Sequence, residues 1–121
     1  MHEMSLAMSI IDIAISEAAK AEARTITEIE VEVGQLAGVM LESLDFCLEA
    51  AARNTLAEAA TFTLIQVLGK GHCLACQHEV MITEFPAQCD DCGGFGVSIT
   101  AGTELKIRSI SINEDNDRRD E

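Results

Sequence analysis

The chain has 121 residues, a mass of 13.0 kDa and a formal charge of -13; 48% of it is hydrophobic, with four Phe and no Trp or Tyr. The apolar share excludes a mainly disordered chain, and the length limits it to one modest core or one small core plus a stapled module, with aliphatic packing throughout. The charge argues against nucleic acid and acidic membrane surfaces as partners, and no apolar run approaches the ~20 residues of a membrane span. The N-terminus also lacks the basic region and apolar stretch of a signal peptide, so a cytoplasmic location is expected.

From Ser5 to about Glu22, Leu6, Ile10 and Ile13 recur at helical spacing, with Ile11 and Ile15 widening the stripe. Between Thr25 and Val33 the period changes to two: Ile29, Val31 and Val33 alternate with Glu28, Glu30 and Glu32, which predicts a strand with one wet, acidic face. Gly34 opens a turn region that includes Gly38. A second helix follows to about Asn54, with Leu41, Leu44, Leu48 and Ala51 on one face and Cys47 beside it as a small buried group.

Thr61 to Leu68, rich in Phe, Leu, Ile, Val and Thr, predicts a second strand that ends at Gly69-Lys70-Gly71. His72 to Gly102 holds four of the five cysteines and the only proline, Pro86, and reads as turns around knuckles rather than as a core. Strand patterning resumes over Leu105 to Ile112. Its inward set shifts from Leu105 and Ile107 to Ile110 and Ile112, so a bulge is expected at Arg108-Ser109. Residues 113–121 read as a short, charged, frayed tail.

This order predicts an α+β fold: a small three-stranded sheet packed by two helices, with an inserted zinc-ribbon module of C-x2-C knuckles. The expected division is 1–70 plus 103–121 for the α+β domain and 71–102 for the zinc-binding domain.

Cys73, Cys76, Cys89 and Cys92 form two C-x2-C pairs separated by 12 residues. In a reducing compartment such pairs are better read as metal ligands than as disulfides. Each tight turn lets two thiolates converge on one ion, and a short hairpin, expected from Glu79 to Glu84 with a second arm near Gly96 to Thr100, would complete a tetrahedral sulfur shell. About thirty residues with little apolar content cannot fold on buried area alone, whereas structural zinc contributes on the order of 10 kcal/mol. Iron in a similar shell is not separable from zinc by spacing, and a redox dithiol is disfavoured because both pairs are present.

Zinc ribbons often bind nucleic acid. From Gly71 to Gly102, however, there is no Lys or Arg, while Glu79, Glu84, Asp90 and Asp91 are acidic, so this module is structural or serves a protein contact. His72 and His78 flank the first pair. They are either exposed turn residues or zinc-site neighbours able to replace a thiolate or hydrogen-bond to one.

The chain starts Met1-His2-Glu3. A bulky second residue disfavours removal of Met1, so the free amine belongs to it. That amine, the His2 backbone nitrogen and the His2 imidazole can close adjacent chelate rings, with Glu3 offering a backbone nitrogen or its carboxylate. Nitrogen-rich tetragonal ligation suits Ni(II) or Cu(II). Because amine and imidazole ligate only when deprotonated, nickel affinity should fall below neutral pH. The competing reading is that His2 and Glu3 merely precede a helix, with Glu3 at its positive end.

Taken together, Met1-His2-Glu3, the following helix, the acidic strand ending in Val33-Gly34, the helix with Leu44 and Phe46, the two C-x2-C knuckles and the terminal strand resemble the HypA (HypA/HybF) family of nickel metallochaperones, from Met1 to about Ile112. The resemblance implies a nickel site at Met1, His2 and Glu3 and a structural zinc site at Cys73, Cys76, Cys89 and Cys92. It implies a non-enzymatic carrier that hands Ni(II) to the [NiFe]-hydrogenase large-subunit precursor, works with a HypB-type GTPase and in some organisms supplies urease. The family often places an acid after the first strand; Met40 stands there, with Glu42 the nearest acid. The alternatives are a zinc-ribbon protein-interaction adaptor without nickel transfer and a rubredoxin-like electron carrier. A hydrolytic enzyme is disfavoured, since there is no nucleophile constellation or phosphate loop and a tetrathiolate shell leaves no open position.

Overall fold

The computed structural model describes residues 2–114. The Met1 side of the expected nickel site and residues 115–121 of the expected tail lie outside them. The elements are α1 (Glu3–Lys20), β1 (Ala23–Gly34), α2 (Leu41–Ala52), β2 (Thr61–Val67), β3 (Lys70–Cys73), β4 (Glu79–Met81), β5 (Val97–Ala101) and β6 (Leu105–Glu114). Two three-stranded sheets form, ordered β2-β1-β6 and β4-β3-β5. This is the predicted α+β architecture of two helices, a three-strand sheet and a cysteine-bearing insertion. Among the described residues, one compact unit takes 2–31, 40–65 and 106–114, and the other takes 32–39 and 66–105.

In the first unit α1 packs on α2. The α1 contact face is Ala7, Ile10, Ile11, Ala14 and Ala18, the i, i+3, i+4, i+7 pattern of a helix stripe. Ile13, expected on that stripe, is instead 53% exposed. Ile10 and Ile11 of the expected stripe are buried, but that stripe includes Ile13 in place of the alanines, which carry little hydrophobicity yet allow the close backbone approach that helix packing favours. The α2 side contributes Leu44, Cys47, Leu48 and Ala52, so Cys47 is the buried small group expected. The helix ends at Ala52, two residues early, because its C-cap Arg53 is already extended (φ -60, ψ 137) and the left-handed Asn54 (φ 64) follows it.

From β1 come Ile26, Ile29 and Val31, all buried. Burial falls on an even position and then on odd ones, a parity change within β1 that the sequence reading missed. In β6 the expected change is present: Leu105, Ile107, Ile110 and Ile112 are half-buried, and Arg108 and Ser109 are both exposed. The acidic face of β1 is half-buried rather than fully wet. The Thr63 hydroxyl donates to Glu28 and the Ser109 hydroxyl to Glu30, each at 2.8 Å, so β2 and β6 each hold one glutamate of the central strand.

The second unit corrects the hairpin expectation. Lys70–Cys73, read as a turn, is the central strand of its sheet: β3 pairs antiparallel with β4 (Gly71↔Val80) and with β5 (Gly71↔Ile99, Cys73↔Val97). The arms expected to pair with each other both pair with β3. Gly71 is required here, because a Cβ would press into the side chains of Val97 and Ile82. The glycine that suggested a turn is a packing glycine inside a strand. A small core of Cys73, Val80 and Cys89, lined by Cys76 and Val97, also sits where no core was expected.

The helix face yields a direct test. Ile10 is 4% exposed, so Ile10→Ala should cost about 2–5 kcal/mol in urea unfolding, whereas Ile13→Ala should stay within about 0.5 kcal/mol of the parent. Equal effects would contradict the alanine-centred packing.

Candidate metal centres

The two C-x2-C turns are built alike. In the first, the Cys73 N–H donates to the His78 carbonyl (2.9 Å) and the Gln77 N–H to the Cys73 carbonyl (2.8 Å). In the second, the Cys89 N–H donates to the Gly94 carbonyl (2.9 Å) and the Gly93 N–H to the Cys89 carbonyl (2.8 Å). Both turns place the residue after their second cysteine in the left-handed region, Gln77 at φ 68 and Gly93 at φ 74. Glycine adopts this freely, while glutamine does so at a cost of about 1–2 kcal/mol. Two side-chain bonds offset it: Gln77 Nε2 donates to the Leu74 carbonyl, and Gln77 Oε1 lies 3.0 Å from His72 Nε2. The second turn takes its bond from outside, as Gln88 Nε2 donates to the Gly93 carbonyl at 2.9 Å.

A backbone bond from the Leu74 N–H to the Gly96 carbonyl (2.9 Å) ties the turns together. All four Sγ atoms lie within 4.8 Å of one another, with Cys73–Cys92 at 3.6 Å and Cys76–Cys89 at 3.5 Å. These separations are too long for disulfides, and the thiols are free. They are near the edge of about 3.8 Å that a tetrahedron with 2.3 Å metal–sulfur bonds requires. The donor set therefore fits a tetrathiolate zinc ion. Cys73 and Cys89 are buried, Cys76 is half-buried and Cys92 is exposed.

Charge crowding is visible in the thiols themselves. The Cys76 backbone N–H aimed at Cys73 lowers that thiol to about 6, against opposing burial. At Cys76 the His78 N–H favours the thiolate, but burial and the sulfurs of Cys89, Cys73 and Cys92 outweigh it and push the thiol up to about 12. At Cys92 the Gly94 N–H likewise favours the thiolate, and the sulfurs of Cys73 and Cys89 outweigh it, so this thiol is raised. One thiolate forms readily and opposes the next, an arrangement that a divalent cation resolves.

His72 is held by Gln77 and does not join the sulfur cluster. His78 pairs through Nδ1 with Asp91 Oδ2 at 3.1 Å, and its ring lies with the half-buried Cys76 and exposed Asp91 in a second donor group. The sequence reading missed Gln77, Gln88 and Asp91 as supports of the knuckles. One signal for Gln77 was present: it follows Cys76 as Gly93 follows Cys92.

At the other expected centre, exposed His2 is the N-cap of α1 and its side chain makes no capping bond. Its carbonyl accepts the Leu6 N–H at 3.1 Å. Glu3 occupies the first turn, and its Oε2 accepts the Met40 N–H at 3.3 Å. That bond, followed by one from its own backbone N–H, lowers the Glu3 carboxyl below the usual range.

Fold and cluster define the class: a small α+β protein with four clustered cysteines fit for zinc and, among the described residues, no helix long and apolar enough to cross a membrane. A family model described as HypA, hydrogenase/urease nickel incorporation, metallochaperone, matches residues 1–112. Hydrogenase maturation factor HypA of Chlorobaculum tepidum is 47% identical over 112 residues, covering 93% of this chain and 99% of that protein. The protein of the same name from Geobacter sp. is 41% identical over the same shares. The solution structure of the Ni metallochaperone HypA from Helicobacter pylori superposes with a TM-score of 0.69 at 22% identity, covering 95% of this chain and 100% of that one, a likeness of fold. The chain belongs to the HypA family, whose description is that of a nickel-incorporation metallochaperone and maturation factor rather than of a catalyst.

The paired turns generate a prediction. Gly93→Ala forces a Cβ into a left-handed position and should lower the stability of the cysteine module by about 1 kcal/mol or more in denaturant unfolding. Gly96→Ala, with open space around it, should be nearly neutral. A neutral Gly93→Ala would contradict the turn assignment.

Proposed function

We propose that this chain carries Ni(II) on Met1, His2 and Glu3 and delivers it during maturation of [NiFe]-hydrogenase, while Cys73, Cys76, Cys89 and Cys92 hold a structural zinc ion. The observation that carries the reading is the family match over residues 1–112, which takes in both the terminal tripeptide and the four cysteines. The functional division proposed is 1–70 plus 103–121 for nickel and 71–102 for zinc. The partners proposed are a HypB-type GTPase and the hydrogenase large-subunit precursor, with urease as a further destination, in the cytoplasm.

The chemistry supports this division of labour. A transfer site needs exposure and few ligands, which His2 at a helix start provides; a structural site is closed by four protein ligands. The nitrogen donors of the first suit Ni(II), and the four sulfurs of the second suit zinc. His72 and His78 are proposed as supports of the knuckles, through Gln77 and Asp91, rather than as ligands.

Untagged protein with its native terminus should bind one Ni(II) in a calorimetric titration and retain zinc throughout. His2→Ala should weaken nickel at least about tenfold, as expected for loss of a ligand, without altering zinc content. Cys89→Ala should release zinc and loosen the knuckle module. Equal nickel binding by the parent and His2→Ala would overturn the carrier reading and leave a zinc-ribbon adaptor.

A further inference from the structure

The start of α1 is tied to α2 by one side chain, and the tie bears on how the terminal tripeptide can work. Glu3 Oε2 accepts the N–H of Met40, 37 residues away, at 3.3 Å. Met40 is the N-cap of α2: its carbonyl accepts the Leu44 N–H at 2.9 Å, its backbone is extended (φ -85, ψ 120), and its side chain makes no capping bond. A methionine has no side-chain oxygen with which to cap, so the α2 start keeps its positive end open to an anion, and the Glu3 carboxylate supplies one. At its other end Glu3 is fixed by its place in the first turn of α1, where the Leu6 N–H closes on the His2 carbonyl at 3.1 Å.

We infer that Glu3 is a positioning residue whose carboxylate tethers the start of α1 to the Met40 N–H and so orients His2, which leaves its backbone nitrogen, and not its side chain, as what Glu3 offers nickel. The inference rests on the nickel reading proposed above. Three observations carry it. The bonded carboxylate oxygen is committed to a donor on another element. The imidazole of His2, directly before it, is exposed and makes no capping bond. Met40, 69% exposed, offers a soft thioether and no hard side-chain oxygen, so its part in the arrangement is played by its backbone N–H. Tethering limits the conformations of the residue that must present its ring, which lowers the ordering cost of binding.

The test separates a hydrogen-bond acceptor from a metal ligand. Glutamine retains an amide oxygen able to accept the Met40 N–H but loses the anionic ligand; alanine loses both. Nickel titration, nickel absorption spectra and the Met40 amide resonance would be measured on untagged parent, Glu3→Gln, Glu3→Ala and His2→Ala. The expected result is that Glu3→Gln keeps the parent's Met40 amide position and absorption bands and binds nickel within about threefold of it. Glu3→Ala should shift the Met40 amide and weaken nickel about three- to tenfold with unchanged bands, the size of one ordinary hydrogen bond.

If Glu3→Gln loses nickel as fully as Glu3→Ala, or changes the absorption bands, the carboxylate is a ligand and the inference falls. It falls as well if the Met40 amide is the same in all four proteins. If His2→Ala binds nickel like the parent, the carrier reading fails, and the Met40 amide still decides whether the tether exists.

Discussion

Four sulfurs gathered within 4.8 Å in a segment with no lysine or arginine from Gly71 to Gly102 set the strictest constraint on this molecule. Backbone N–H groups can stabilise one thiolate, as at Cys73, but each further ionisation meets the last at short range, as at Cys76. No lysine or arginine within that segment can relieve the crowding. The turns that converge the sulfurs are therefore suited to a compact divalent ion and poorly suited to standing without one.

The supports around the cluster follow from that constraint. The left-handed residue in each turn aims the next N–H groups inward, and the first turn accepts a strained glutamine because Gln77 bonds on both sides. His72 is bonded to Gln77 and His78 to Asp91, each a residue of one of the two turns. The terminal segment has the opposite character. His2 is exposed at a helix start, and one hydrogen bond from Met40 holds the residue behind it. An open donor group beside a helix cap and a partly buried sulfur cage are different solutions, one compatible with release and the other with retention.

Much of this was legible in the sequence because it rests on local pattern. Helical periods located both helices, strand patterning and a β-rich composition located the strands of the first sheet, and C-x2-C spacing located the cluster. The misses have physical causes. Ala7, Ala14 and Ala18 define the helix contact through smallness, which hydrophobic pattern underweights in favour of Ile13. Gly71 lies in a strand because side chains from two neighbouring segments leave no room for a Cβ, a fact of three-dimensional packing with no local signature. The Glu3–Met40 bond joins residues 37 apart through a backbone donor, so no residue type at position 40 announces it.

The glutamates of β1 carry a consequence for behaviour in solution. Glu28 and Glu30 are held by neutral hydroxyls, Thr63 on one flanking strand and Ser109 on the other. Such rungs leave the carboxylate charge in place, and added electrolyte weakens them far less than it weakens an exposed pair of opposite charges. The repulsion that a chain of formal charge -13 exerts on other anions has a different reach, since it fades beyond a Debye length of about 10 Å at 0.1 M ionic strength. Salt thus sets how closely an anionic neighbour can approach, while leaving these contacts between strands intact.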